Sequence, residues 1–203
     1  MKNTFIRTAA LAATLSLLTA CGADSTSTPT STPPATTIKV TDMSGGQTDI
    51  TGVWVTRCFA NPAGDFHYLE EFSGTNTYLL TENTYTTTDG SCGGTATTAG
   101  TVTGTFTLST DVTATGWIDG SGASIAAPTA QNGTSTLPAT PSATTLLTTV
   151  TTVSGTFAMP ANNPVSIRRA VDVTNPANIA LYDIYDDAVN GLVADISLKA
   201  TKQ

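Results

Sequence analysis

Thr101-Val-Thr-Gly-Thr-Phe-Thr-Leu108 puts Val102, Gly104, Phe106 and Leu108 on one side of an extended chain and four threonines on the other. Side chains of a strand point alternately to opposite faces, so this stretch reads as a strand with one apolar and one wet face. The same period recurs on both sides of it. Val53, Val55 and Phe59 share a face with Arg57, and Phe66, Tyr68 and Phe72 share one ahead of the turn Ser73-Gly-Thr-Asn76. Val165, Ile167, Val171 and Val173 alternate with Ser166, Arg168, Asp172 and Thr174, and Leu192, Ala194, Ile196 and Leu198 with Val193, Asp195, Ser197 and Lys199. Half-polar strands of period two suit an antiparallel sheet. No segment after residue 21 has a helical period. The expected class is all-β, an antiparallel barrel, with a β-sandwich as the alternative. Thr152-Val-Ser-Gly-Thr-Phe157 echoes Thr101-Val-Thr-Gly-Thr-Phe106, and both read as strands.

Composition points the same way. Of 203 residues, 44 are threonine, whose branched Cβ disfavours helix and suits a pleated surface. Eleven per cent of the chain is charged and the net charge is −7, which leaves no basic stripe to neutralise phosphates and excludes nucleic acid as a partner. One histidine and three cysteines are little material for a metal centre or a catalytic triad.

Met1–Ala20 has the plan of a secretory signal: Lys2 and Arg7, then an uncharged apolar run over 8–18 too short to span a bilayer. Leu18-Thr-Ala-Cys21-Gly22 after it resembles the lipobox of bacterial lipoproteins. The resemblance implies cleavage before Cys21, acylation of its thiol, attachment to a membrane, and, with Gly22 rather than Asp next, sorting to the outer membrane. Cleavage removes two of the eight basic residues and no acidic one, leaving six against fifteen, a net of −9. Anionic lipid repels such a body, so a spacer is expected. Residues 21–47 supply it, with Ala23–Thr37 too rich in Ser, Thr and Pro to form a core. Residues 48–203 then form one β domain, interrupted by a low-complexity stretch over 109–145 that should hold a hairpin or local disorder.

With Cys21 carrying lipid, Cys58 and Cys92 are an even pair in an exported protein, and a disulfide is the default. Gly52-Val-Trp54 matches the Gly-x-Trp that opens the first strand of lipocalins. Together with aromatic-rich strands and a second cysteine in a Gly/Ser turn, it makes the body resemble lipocalin-like lipoproteins. That resemblance implies an eight-stranded barrel in which Trp54 closes one end and packs on a late-strand arginine, Arg168 or Arg169. It also implies a small apolar ligand, with Trp54, Tyr78, Phe106 and Phe157 as wall residues.

The remaining polar clusters weigh against catalysis. Glu70 and Glu71 are adjacent and so point to opposite faces, which defeats a glycosidase pair even with Asp65 nearby. His67 sits among strand aromatics without a nucleophile elbow. Asp183, Asp186 and Asp187, with Asp195 or the Asn190 carbonyl, match no Ca²⁺ loop and read as a solvated turn. The expected protein is a lipid-anchored, non-enzymatic envelope component with no cofactor or metal, carrying or sensing a small apolar ligand. The competing class is a structural or adhesive surface module without a pocket.

Overall fold

A computed structural model describes residues 37–157 and 164–203; the signal segment, the lipobox with Cys21 and residues 22–36 lie outside the described residues. Twelve strands follow one another, with no helix among the described residues. β1 (Lys39–Thr41) and β2 (Gln47–Asp49) pair as a hairpin. Then come β3 (Gly52–Thr56), β4 (Phe66–Ser73), β5 (Thr77–Thr84) and the long β6 (Thr97–Thr113). β7 (Gly116–Ile118) and β8 (Ser124–Ile125) precede a second long strand, β9 (Ser142–Gly155). β10 (Pro164–Asp172), β11 (Ala180–Asp187) and β12 (Gly191–Lys202) end the chain.

Eight of these close into an antiparallel barrel in the order β3-β4-β5-β6-β9-β10-β11-β12. The last strand returns to the first through Ala200↔Thr56, Thr201↔Val55 and Lys202↔Trp54, while its other edge pairs β11. A meander that closes on itself is the lipocalin-like, up-and-down arrangement, and it leaves no free edge between two sheets, so the sandwich is excluded. The two echoing segments are partners: Thr101 faces Ser154 and Thr103 faces Thr152 across β6 and β9. Their outward hydroxyls bond, Thr101 Oγ1 to Ser154 Oγ at 2.8 Å.

Residues 38–47, assigned from sequence to the tether, belong to the folded body. Ile38, Val40 and Ile50 are buried with Trp54, Phe72, Phe106 and Val171 in one core cluster. The hairpin plugs one barrel end, held by the Met43 amide on the Val171 carbonyl at 2.9 Å and the Thr41 amide on Thr144 Oγ1 at 3.0 Å. The short Lys39-Val-Thr41 run was too brief to register as a strand, yet its single buried valine is enough once a barrel end must be covered. Trp54 closes this end, its indole N–H donating to the Ile50 carbonyl at 2.8 Å. The cation over its ring is Lys202 Nζ, 5.8 Å from the centroid, and neither Arg168 nor Arg169. The reason is register: Lys202 pairs directly with Trp54.

The single face expected for Leu192, Ala194, Ile196 and Leu198 is broken. The ladder with β11 jumps from Tyr182↔Lys199 to Asp183↔Asp195, a bulge that absorbs residues 196–198. An odd number of extra residues, three here, reverses which side chains face in. Leu192, Ala194 and Ile196 therefore pack outside the barrel, whereas Ala200 joins the inner core. That outer layer is covered by the low-complexity stretch, which holds the β7–β8 hairpin. Trp117, Ala130 and Leu137 lie on Ala170, Ala180 and Ala194, small side chains that allow the covering segment to approach closely, and on Tyr182, whose ring meets Trp117 edge to face at 5.2 Å. The Gln131 backbone N–H donates to the buried Asp172 carboxylate at 2.7 Å and pins the cover in place.

Candidate functional site

The inward positions of β4 run Tyr68, Glu70, Phe72, and those of β10 run Ile167, Arg169, Val171. β4 and β10 stand four places apart in a ring of eight, on opposite walls. Their two charged residues meet inside. Arg169 Nε donates to Glu70 Oε2 at 2.8 Å and Nη2 donates to Oε1 of the same carboxylate. The Tyr78 hydroxyl donates to Glu70 Oε1 at 2.8 Å, while Arg169 Nη1 donates to Asp183 Oδ1 and to the Arg168 carbonyl at 3.1 Å. Side-chain exposure is 13% for Arg169 and 6% for Glu70.

Burial of a charge is tolerated when it is paired and hydrogen-bonded, and the bidentate fork supplies both. Burial works to lower the Arg169 pKa, but Asp183 and Glu70 outweigh it and the guanidinium stays charged with its pKa raised. Burial, then Glu70, push the Tyr78 phenol well above its ordinary value. The Asp183 carboxyl is raised, mainly by burial and further by Glu70 and Asp195, against the attraction of Arg169. Two carboxylates against one guanidinium leave the bridge with one excess negative charge when both are ionised.

Two cavities flank the bridge, and both are bounded by Leu80, Arg169 and Asp183. The first, of about 180 Å³, is otherwise walled by Tyr68, Phe157, Leu181 and Leu198. The second, of about 250 Å³, is bordered by Tyr78, Val102, Thr148 and Val150 and extends between Ile167 and Tyr185, where the β10–β11 ladder has stopped at Arg169↔Asp183. Thr148 is 1% exposed, and its hydroxyl has no hydrogen-bond partner among the described residues. None of the plug residues Ile38, Val40 and Ile50 lines either cavity.

The four aromatic residues expected to form a wall are divided by the structure. Trp54 and Phe106 are packed in the plugged end and line neither cavity; Tyr78 borders the second and Phe157 the first. Glu70, Arg169, Asp183 and Thr148 were not anticipated as lumen residues, although Arg169 shares the parity of Val165, Ile167 and Val171. Glu71 lies on the opposite face of β4 from Glu70, pairing Leu79 and Val53. The acidic run diverges: Asp183 faces the lumen, Asp186 is 77% exposed against Arg168, and Asp187 accepts the Val189 and Asn190 amides of its own turn.

Cys58 and Cys92 form a disulfide with Cα atoms 5.7 Å apart. It fastens the β5–β6 connection to the end of β3, beside the fully buried Asp65. That carboxylate accepts the Thr87 hydroxyl at 2.6 Å, the Gly90 amide at 3.0 Å and the Cys92 amide at 3.2 Å. His67 lies against Tyr85, ring to ring at 5.3 Å, with Nε2 at 3.3 Å from the hydroxyl. No family model matches the chain, and neither does any curated protein or solved structure.

Proposed function

We propose that this protein is a lipid-anchored component of the outer membrane, attached through Cys21, whose barrel carries a small apolar molecule without transforming it. One observation carries the ligand reading: the lumen beyond the Trp54 plug is not filled by side chains. A packed protein interior leaves few voids larger than a water molecule, so cavities of about 180 and 250 Å³ walled by Leu80, Phe157, Leu181 and Val150 are room kept for something else. The anchor reading rests on the lipobox. Its fifteen-residue Ser/Thr/Pro tether suits a body whose charge is repelled by anionic lipid.

Titration of the purified protein with N-phenylnaphthylamine, a neutral apolar fluorophore, tests the carrier reading. Saturable fluorescence enhancement that weakens in Ala200→Leu, which fills the first cavity, is expected; no saturable binding would overturn it. Cys21→Ser should move the protein out of the membrane fraction, and retention there would overturn the anchor.

A further inference from the structure

We propose that the barrel selects a small cationic amphiphile, an apolar body bearing one protonated amine, over neutral and anionic molecules of the same shape. The inference rests on the carrier reading above and adds the charge of the ligand's polar end.

The donor count of Arg169 excludes an anion. A guanidinium has five N–H groups. Here Nε and one N–H of Nη2 go to Glu70, and the two N–H groups of Nη1 go to Asp183 and the Arg168 carbonyl. No fork remains to receive a carboxylate or phosphate, and such a group would sit against Glu70 and Asp183. The acceptors are in the opposite condition. Asp183 is bonded through Oδ1, its other oxygen has no hydrogen bond among the described residues, and the residue borders both cavities. The excess charge of the bridge therefore lies at Asp183, at the boundary of the two lobes.

Thr148 adds an independent sign. Its hydroxyl lines the second cavity, buried and unpartnered, and a buried hydroxyl without a partner costs free energy that a ligand N–H would relieve. An ammonium has three donors on one centre, enough for a carboxylate oxygen and a threonine hydroxyl together. The hydrocarbon part then faces Leu80, Val102 and Val150.

Calorimetric titration of the purified protein with phenethylamine, phenethyl alcohol and phenylacetate, which share one ring and differ in the head group, tests this. In a partly desolvated site the amine should bind about tenfold or more tighter than the alcohol, and phenylacetate weakest. Asp183→Asn should bring the amine down to the affinity of the alcohol, and Thr148→Val, which leaves the bridge intact, should weaken the amine. Equal or tighter binding of the alcohol or the acid, or an unchanged amine affinity in both variants, would overturn the proposal. Binding of N-phenylnaphthylamine with none of the three probes bound overturns the amine preference and leaves the apolar carrier standing; failure of the fluorophore as well removes both.

Discussion

Arg169 and Glu70 reach each other across the full width of the barrel, from strands on opposite walls, and close a two-bond fork in its middle. The pair is thus both a tie between distant strands and a partition of the lumen. Each residue is buried with the other as a partner, Arg169 held also by Asp183 and Glu70 also by Tyr78.

Removing one partner should therefore cost far more than the pair contributes. Glu70→Leu is expected to lower stability by about 1–3 kcal/mol, because Arg169 keeps Asp183 but its Nε and Nη2 donors and the Tyr78 hydroxyl lose their buried acceptor. Arg169→Met should cost more, since it strands two carboxylates. The double variant Glu70→Leu/Arg169→Met should be more stable than Arg169→Met by itself. Urea unfolding of the four proteins measures this, and strictly additive losses would refute the coupling.

Acid should weaken the fold. Burial alone would raise the Asp65 pKa, but the Thr87 hydroxyl and the Gly90 and Cys92 amides outweigh it and hold the carboxyl below its ordinary value. Asp42, bonded to Ser44, Thr48 and Gly46, behaves alike. A carboxylate depressed in the folded state contributes stability that is complete above its unfolded pKa and lost as pH falls through the folded value, so the loss begins below about pH 4. Asp183, raised by burial, acts with the opposite sign and offsets part of it. Melting temperatures at pH 7 and pH 3 should differ, and Asp65→Asn should narrow the difference while lowering stability at pH 7.

Replacing Cys58 and Cys92 together by serine should cost about 2–5 kcal/mol, because the bridge closes a loop of 34 residues' separation in the unfolded chain. The same loss should follow reduction of the native protein. A denaturation midpoint unchanged by reductant would contradict it.

Thr148→Val should raise stability by about 1 kcal/mol, since it replaces an unpartnered buried hydroxyl by a methyl group of similar size. Thermal unfolding without ligand is the measurement. A decrease would mean that the hydroxyl is satisfied in solution.

Much of the architecture is local and was therefore legible in the sequence. Alternation over 101–108, the Ser73–Asn76 turn and the threonine excess specify strands with a wet face, because side-chain direction in a strand depends only on counting by two. The Cys58–Cys92 pairing was legible from the cysteine count, and the Gly-x-Trp at the first barrel strand from its resemblance to the lipocalin motif. The alternation rule failed at residues 196–198, where a bulge shifts the count, and at Lys39–Thr41, where three residues are too few to establish a period.

The lumen chemistry is partly visible in the sequence. Arg169 interrupts the apolar row Val165, Ile167, Val171, Val173, and Glu70 stands between Tyr68 and Phe72. A lone charge on an apolar face requires a partner, so each was a sign of the other. Which partner it would be lay beyond the sequence. Residues 70 and 169 are 99 apart, and only closure of β12 onto β3 sets β4 opposite β10. The sequence determined the strands and the wet outer face, which follow from neighbours along the chain, and the disulfide partners, which follow from the count of cysteines. Tertiary structure decided the plug, the covered outer wall, the bridge and the two cavities, because each exists only where segments far apart in sequence meet.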